Sequence, residues 1–192
     1  MHQARKTLSG KWGLAILACV IYMLVTGAIN KHPGIGSAVS LVISGPLALG
    51  LAIFTLSFSR NTKAQVGQLF EGFNNFKTSL IVFLLVTLYV FLWSLLLIVP
   101  GIIAAISYSQ TYYLLADNPT LKPSEALRKS KELMHRAKWK YFCLHLRFTG
   151  WFLLSILTCG IGFLWLFPYV QVATAKFYED LITPQPKKTS KK

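Results

Sequence analysis

Six apolar stretches, cut at charges and turn residues, run about 12–30, 35–59, 79–99, 102–116, 141–158 and 161–175. Each approaches the roughly 20 residues that a helix rising about 1.5 Å per residue needs to cross the hydrocarbon of a bilayer. Of the 20 lysines and arginines, 18 lie outside these stretches in four polar segments. The first holds Arg5, Lys6 and Lys11, the second Arg60, Lys63 and Lys77, the third seven residues between Lys122 and Lys140, and the fourth Lys176 and the tail. Alternate loops hold only Lys31. Under the positive-inside rule, both termini and the two long loops face the cytoplasm. The expectation is an all-α, six-span protein of the cell membrane: one membrane domain over residues 1–182, built as three helical hairpins, with a basic tail over 183–192.

A soluble fold is a poor alternative. With 54% hydrophobic and 14% charged residues and a mean hydropathy of +0.51, the chain carries more apolar surface than one core of this size hides. The first apolar run exceeds a usual signal-peptide core and reads as a span. The net charge of +14 lies beside span ends instead of on one folded face. Anionic lipid headgroups are therefore the expected partner, and nucleic acid is not. A membrane-protein partner or a second copy of the chain is also open. Cys19, Cys143 and Cys159 have no metal or disulfide spacing and read as small apolar residues.

A shift of 61 residues superposes Phe91-Leu92-x-Ser94 on Phe152-Leu153-x-Ser155, Gly101 on Gly162, and Tyr108-x-Gln110 on Tyr169-x-Gln171. This predicts an internal repeat of a cytoplasmic amphipathic segment followed by a hairpin turning at a glycine. In the first such segment, Val66, Leu69, Phe70, Phe73 and Phe76 recur at helical spacing, predicting an apolar face against the membrane surface or the bundle. In the second, Pro123 suits a first helical turn, and Ala126, Leu127, Ser130, Leu133, Met134 and Ala137 share one side. Its other side is basic, with Glu125–Lys129 and Glu132–Arg136 spaced four apart. Arg128, Lys129, Lys131, Arg136, Lys138 and Lys140 are the candidate headgroup contacts.

Polar residues inside apolar stretches are the other candidates. Gln110 and Gln171 each lie nine residues past their hairpin glycine, near the bilayer midplane, where an unpaired amide is costly. They either bond helices together or form a midplane site, to which Tyr108 and Tyr169 could add hydroxyls. Pro46 removes a backbone donor mid-span, so a kink is expected, with a freed carbonyl for a ligand or a neighbouring hydroxyl. Small residues at Gly36, Ser40, Ser44, Ala48 and Ala52 form a stripe for close helix approach. Arg147, with His145 two residues before it, is either a snorkelling or a buried charge.

No reaction is legible. The six carboxylates sit in cytoplasmic segments or at span ends and form no paired constellation in sequence; there is no phosphate-binding loop, zinc-type spacing or nucleophile elbow. No cofactor and no metal are expected. The reading is a non-catalytic membrane protein working through helix, protein or lipid contacts, as a scaffold, stress or immunity factor. A small transporter or export component is the alternative, and a lipid-modifying membrane enzyme the second.

Several motifs taken together carry a resemblance: Leu8-x-Gly10-x-Trp12, Tyr113-Leu114-Leu115-Ala116-Asp117-Asn118-Pro119, Glu125-Ala126-Leu127-x-x-Ser130, Gly150-Trp151, and Gly160-x-Gly162 before Pro168-Tyr169. End to end, the chain resembles the bacterial integral membrane proteins catalogued as domain of unknown function 975, common in Gram-positive organisms. The resemblance implies a six-span fold related to the membrane region of some glycerophosphodiester phosphodiesterases, and it supplies no catalytic residues.

Overall fold

All six apolar stretches fold as helices in the computed structural model, which describes residues 12–29, 35–60, 62, 64–158, 160 and 162–183. The helices are α1 (Trp12–Ile29), α2 (Ile35–Ser59), α3 (Gln68–Glu71), α4 (Phe76–Leu96), α5 (Ile98–Tyr108), α6 (Thr111–Asp117), α7 (Pro123–Met134), α8 (Lys138–Leu157) and α9 (Phe163–Ile182). A 3-10 turn, Gly72–Asn75, joins α3 to α4. No strand occurs among the described residues. Three helical runs, Val39–Ser59, Gln68–Leu96 and Ile98–Asp117, are long and apolar enough to cross a membrane. Lys31, Lys63, Cys159, the turn before α2 and residues 184–192 lie outside the described residues.

The bundle is organised around α2, which packs against α1, α3, α4, α6 and α9. Its apolar window is 56% buried, whereas that of Gln68–Leu96 is only 11% buried, so α4 is peripheral. The largest core cluster includes Ala15 and Ala18 of α1, Leu51, Phe54 and Phe58 of α2, Phe148 of α8 and Val172 of α9. Between helices in lipid, close packing and hydrogen bonds have to supply the cohesion that water supplies elsewhere. The helix α2 runs through Pro46 without ending.

Ala52 of the predicted small-residue stripe packs against Tyr113 and Ala175, and the closest approach of α2 lies at a glycine outside the stripe. A Cβ on Gly50 would stand 1.9 Å from the Leu69 carbonyl oxygen, and one on Gly72 would stand 1.9 Å from that of Pro46. Here backbone meets backbone, which only glycine permits. These contacts set which side of residues 68–75 meets the bundle. Leu69 is buried, but Phe70, Phe73 and Phe76 point outward. The segment is also no separate surface helix, because α3, the 3-10 turn and α4 run on as one long unit.

Glycine plays a second part at the hairpins. The first hairpin turns at Leu97, which is extended (φ −166°, ψ 147°), and not at Gly101. Gly101 lies a turn inside α5, where an added Cβ would sit 2.2 Å from Ser94 Oγ and 2.8 Å from its Cα. In the second hairpin, an added Cβ on Gly162 would meet Ser155 Oγ at 2.5 Å and its Cα at 2.9 Å. The turn itself is made by Gly160 at φ +88°, a conformation favoured by glycine.

The second amphipathic segment folds as predicted. Lys122 is extended ahead of Pro123 at the first turn of α7, where the missing proline N–H costs nothing. Ala126, Leu127, Ser130 and Met134 are buried, while Arg128, Lys129 and Lys131 are exposed. Its ion pair is Arg128–Glu132 at 3.5 Å, and neither expected four-residue pair appears. Because α7 ends at Met134, Arg136 lies beyond the last turn that could align it with Glu132.

Candidate functional site

The predicted span 102–116 is broken. Between α5 and α6, Ser109 keeps helical angles (φ −59°, ψ −27°), but Gln110 shifts to φ −93°, ψ 1°, the sparsely populated bridge region. Carbonyls at such a break need new donors. Ser109 Oγ donates to Ile106 O at 2.8 Å, Thr111 Oγ1 to Tyr108 O at 2.7 Å, and Ser130 Oγ to Ser107 O at 2.9 Å. The last bond is contributed by α7, so the break is also where that amphipathic helix docks. Gln110 is wholly buried. Its Nε2 donates to Ser109 Oγ at 3.1 Å, and its Oε1 has no partner, a costly state for a buried carbonyl.

Ser109 also lines a cleft of about 270 Å³ enclosed by α1, α2, α6, α8 and α9. One wall is aromatic: Tyr22, Tyr112, Tyr113, Tyr141 and His145. Gln171 and Thr174 join Ser109 in presenting polar groups, over a floor of Ala48, Leu51, Ala52 and Val170. Among the described residues, no Asp, Glu, Lys or Arg lines it. The His145 ring meets Tyr141 edge-on at 4.3 Å.

Beyond the cleft, α2, α6 and α9 carry a charged clamp. Arg60 Nη1 and Nη2 donate to Asp117 Oδ1 and Oδ2 at 2.7 and 2.9 Å, and Arg60 Nε lies 3.5 Å from Glu179 Oε1. Lys176 Nζ donates to Glu179 Oε2 at 3.0 Å and to the Ser59 carbonyl. Ser59 Oγ donates to Glu179 Oε2 at 2.7 Å, and the Tyr178 hydroxyl to Asp117 Oδ2 at 2.9 Å. The hydrogen bonds to Asp117 hold the Arg60 guanidinium above its ordinary pKa. Two carboxylates thus share one pair of cations, a constellation that sequence reading had excluded. Tyr113 of the cleft stacks on Tyr178 of the clamp with centroids 5.5 Å apart.

The sequence matches the profile of the family described as Protein of unknown function (DUF975) over residues 1–107 and 95–184. The chain belongs to the DUF975 family. No curated protein and no solved structure matches it.

In this DUF975 protein, two of the predicted polar residues, Gln171 and His145, share the cleft, and Gln110 reaches it only through Ser109. Tyr108 stacks instead on Tyr89 at 5.7 Å. Tyr169 meets Phe148 edge-on at 5.5 Å and lines a separate groove with Trp151 and Trp165. Pro46 is buried against Gly72. Arg147 is exposed on α8. Among the predicted headgroup contacts, Arg128, Lys129, Lys131, Arg136 and Lys140 are exposed and Lys138 is half-buried. Sequence reading missed the tyrosines that do line the cleft, although Tyr112-Tyr113 follows Gln110 within one helical turn.

Proposed function

We propose that this DUF975 protein is a six-span integral membrane protein with cytoplasmic termini, working without catalysis through helix packing and contacts with anionic headgroups and other membrane proteins. The observation that carries this reading is the juxtaposition on α7 and the start of α8. The exposed basic side chains of Arg128, Lys129, Lys131, Arg136 and Lys140 stand on a helix bolted to the bundle through Ser130. Large apolar side chains exposed elsewhere, such as Leu95 and Ile98 at 77% and Leu157 at 81%, suit lipid and not water. Each basic residue near an anionic surface adds about 1 kcal/mol of attraction. The two hairpins α4–α5 and α8–α9 are read as copies of one unit, supported by the matching Ser94–Gly101 and Ser155–Gly162 contacts.

Two measurements test it. In a cysteine-free background, cysteines near Gly101 and Gly160, at the exposed Leu97 and Thr158, should react with an impermeant thiol reagent from outside, and one at Lys131 should not; labelling at Lys131 in intact cells refutes the topology. Replacing the six basic residues of 128–140 by glutamine should reduce retention of anionic lipid in native mass spectrometry, and unchanged retention refutes the headgroup role. A second reading, a small transporter, is favoured by the cleft beside the break at Ser109–Gln110, since interrupted helices are where membrane transporters build binding sites.

A further inference from the structure

We propose that the cleft is a binding site for a small uncharged polyhydroxy solute of up to about a dozen heavy atoms, an inference that deepens the transport reading and rests on it. Size sets the upper bound. The volume of about 270 Å³ equals roughly nine waters at about 30 Å³ each, enough for one six-membered polyol ring.

Charge sets the class. Among the described residues, no Asp, Glu, Lys or Arg lines the cleft, so an ionic ligand would find no carboxylate, ammonium or guanidinium partner there, at heavy desolvation cost. The nearby charges do not substitute. Both oxygens of Asp117 and both of Glu179 are already committed to Arg60, Lys176, Tyr178 and Ser59.

Hydrogen bonding separates a polyol from a hydrocarbon. Eight of the twelve lining residues carry a hydrogen-bonding side chain, counting Tyr22, Tyr112, Tyr113, Tyr141, His145, Ser109, Gln171 and Thr174. The Ser109 hydroxyl donates to Ile106 O and accepts from Gln110 Nε2, and the Thr174 hydroxyl donates to Val170 O, so the amide of Gln171 is the polar group of the cleft best placed to meet a ligand. Gln171 offers both donor and acceptor. Tyrosine rings pack against the C–H faces of a polyol.

The helix break at Ser109–Gln110 is what brings Ser109 to the cleft wall.

The test uses the full chain with Cys19, Cys143 and Cys159 replaced by alanine, purified in detergent, and Val170→Cys as reporter because it lines the cleft without removing a polar group. The probes share one skeleton: glucose is uncharged, glucosamine cationic and glucose 6-phosphate anionic. Glucose at twice its dissociation constant should slow N-ethylmaleimide labelling about threefold, and the charged analogues should not. Leu153→Cys, exposed on α8, should label at the same rate throughout. The proposal is overturned by no slowing with glucose, by equal slowing with all three probes, or by slowing at Leu153→Cys as well. An unreactive Val170→Cys, repeated with Ala48→Cys, overturns it too, since the cleft is then closed to solutes. Glucose uptake into proteoliposomes separates the two readings. Protection without uptake keeps the site and discards transport, whereas uptake without protection discards the site alone.

Discussion

Arg60 and Asp117, 57 residues apart in the chain, meet in a two-pronged pair at 2.7 and 2.9 Å that fastens the end of α2 to the end of α6. Planar guanidinium and carboxylate match in both bonds, a geometry that lysine lacks. Because the Arg60 side chain is 41% exposed, solvent screening limits the pair. Arg60→Ala should cost about 1 kcal/mol in detergent unfolding, and a double-mutant cycle with Asp117→Asn should show coupling of similar size. Arg60→Lys should restore less than half. Full restoration by lysine would mean that charge alone, and not the fork, joins the helices.

Gly72 and Gly50 should tolerate no side chain. An alanine Cβ at either falls within 2 Å of a carbonyl oxygen of the facing helix, so backbone must move. The expected cost is about 3 kcal/mol or more, the upper end for overpacking. Gly150→Ala on α8 meets nothing within 4 Å and should instead stabilise by about 0.5–1 kcal/mol through helix propensity. Thermal unfolding of the three variants side by side checks the contrast; similar melting temperatures would show that α2 and α3 are not packed backbone to backbone.

Gln110→Leu is expected to be neutral or stabilising by up to about 1 kcal/mol. Leucine forfeits the bond to Ser109 but removes a buried carbonyl oxygen that has no partner, and an unmade buried bond outweighs one modest bond made. Equilibrium unfolding decides. A loss above 1 kcal/mol would indicate that Oε1 is satisfied by bound solvent.

Ser130→Ala should loosen α7. The serine is wholly buried, and its hydroxyl meets the Ser107 carbonyl at the break, so about 1–2 kcal/mol is at stake, including the cost of stranding that carbonyl. Hydrogen exchange should rise in residues 123–134 before it rises in α2. Uniform acceleration across the bundle would argue that α7 does not unfold on its own.

What was legible followed local periodicity. The buried side of α7 could be read from Ala126, Leu127, Ser130 and Met134, because a basic, solvated helix has one apolar face and its spacing names it. At Phe70, Phe73 and Phe76 the same spacing leaves open whether the face meets lipid or the bundle. In a segment surrounded by apolar material, outward aromatics are tolerated, and Gly50 and Gly72 determined the rotation instead. Gln110 stood out as a polar residue in an apolar run, but the break beside it depended on hydroxyls from Thr111 and the distant Ser130. The clamp was illegible because Arg60, Asp117 and Glu179 come together only through the arrangement of α2, α6 and α9. Tyr108 and Tyr169 share a register in the repeat, yet register says nothing about which neighbour takes each ring.

The interruption at Ser109–Gln110 divides what would be one rod into two levers with different attachments. The first lever, α5, leans on α4, α7 and α8, and the second, α6, on α2 and α7. A continuous helix would have to carry any displacement along its full length. With the axis cut, α6 and Asp117 are fastened to α2 through Arg60 while α5 packs on the outer hairpin. The joint between the two attachments lies at the wall of the cleft, where Ser109 is a lining residue.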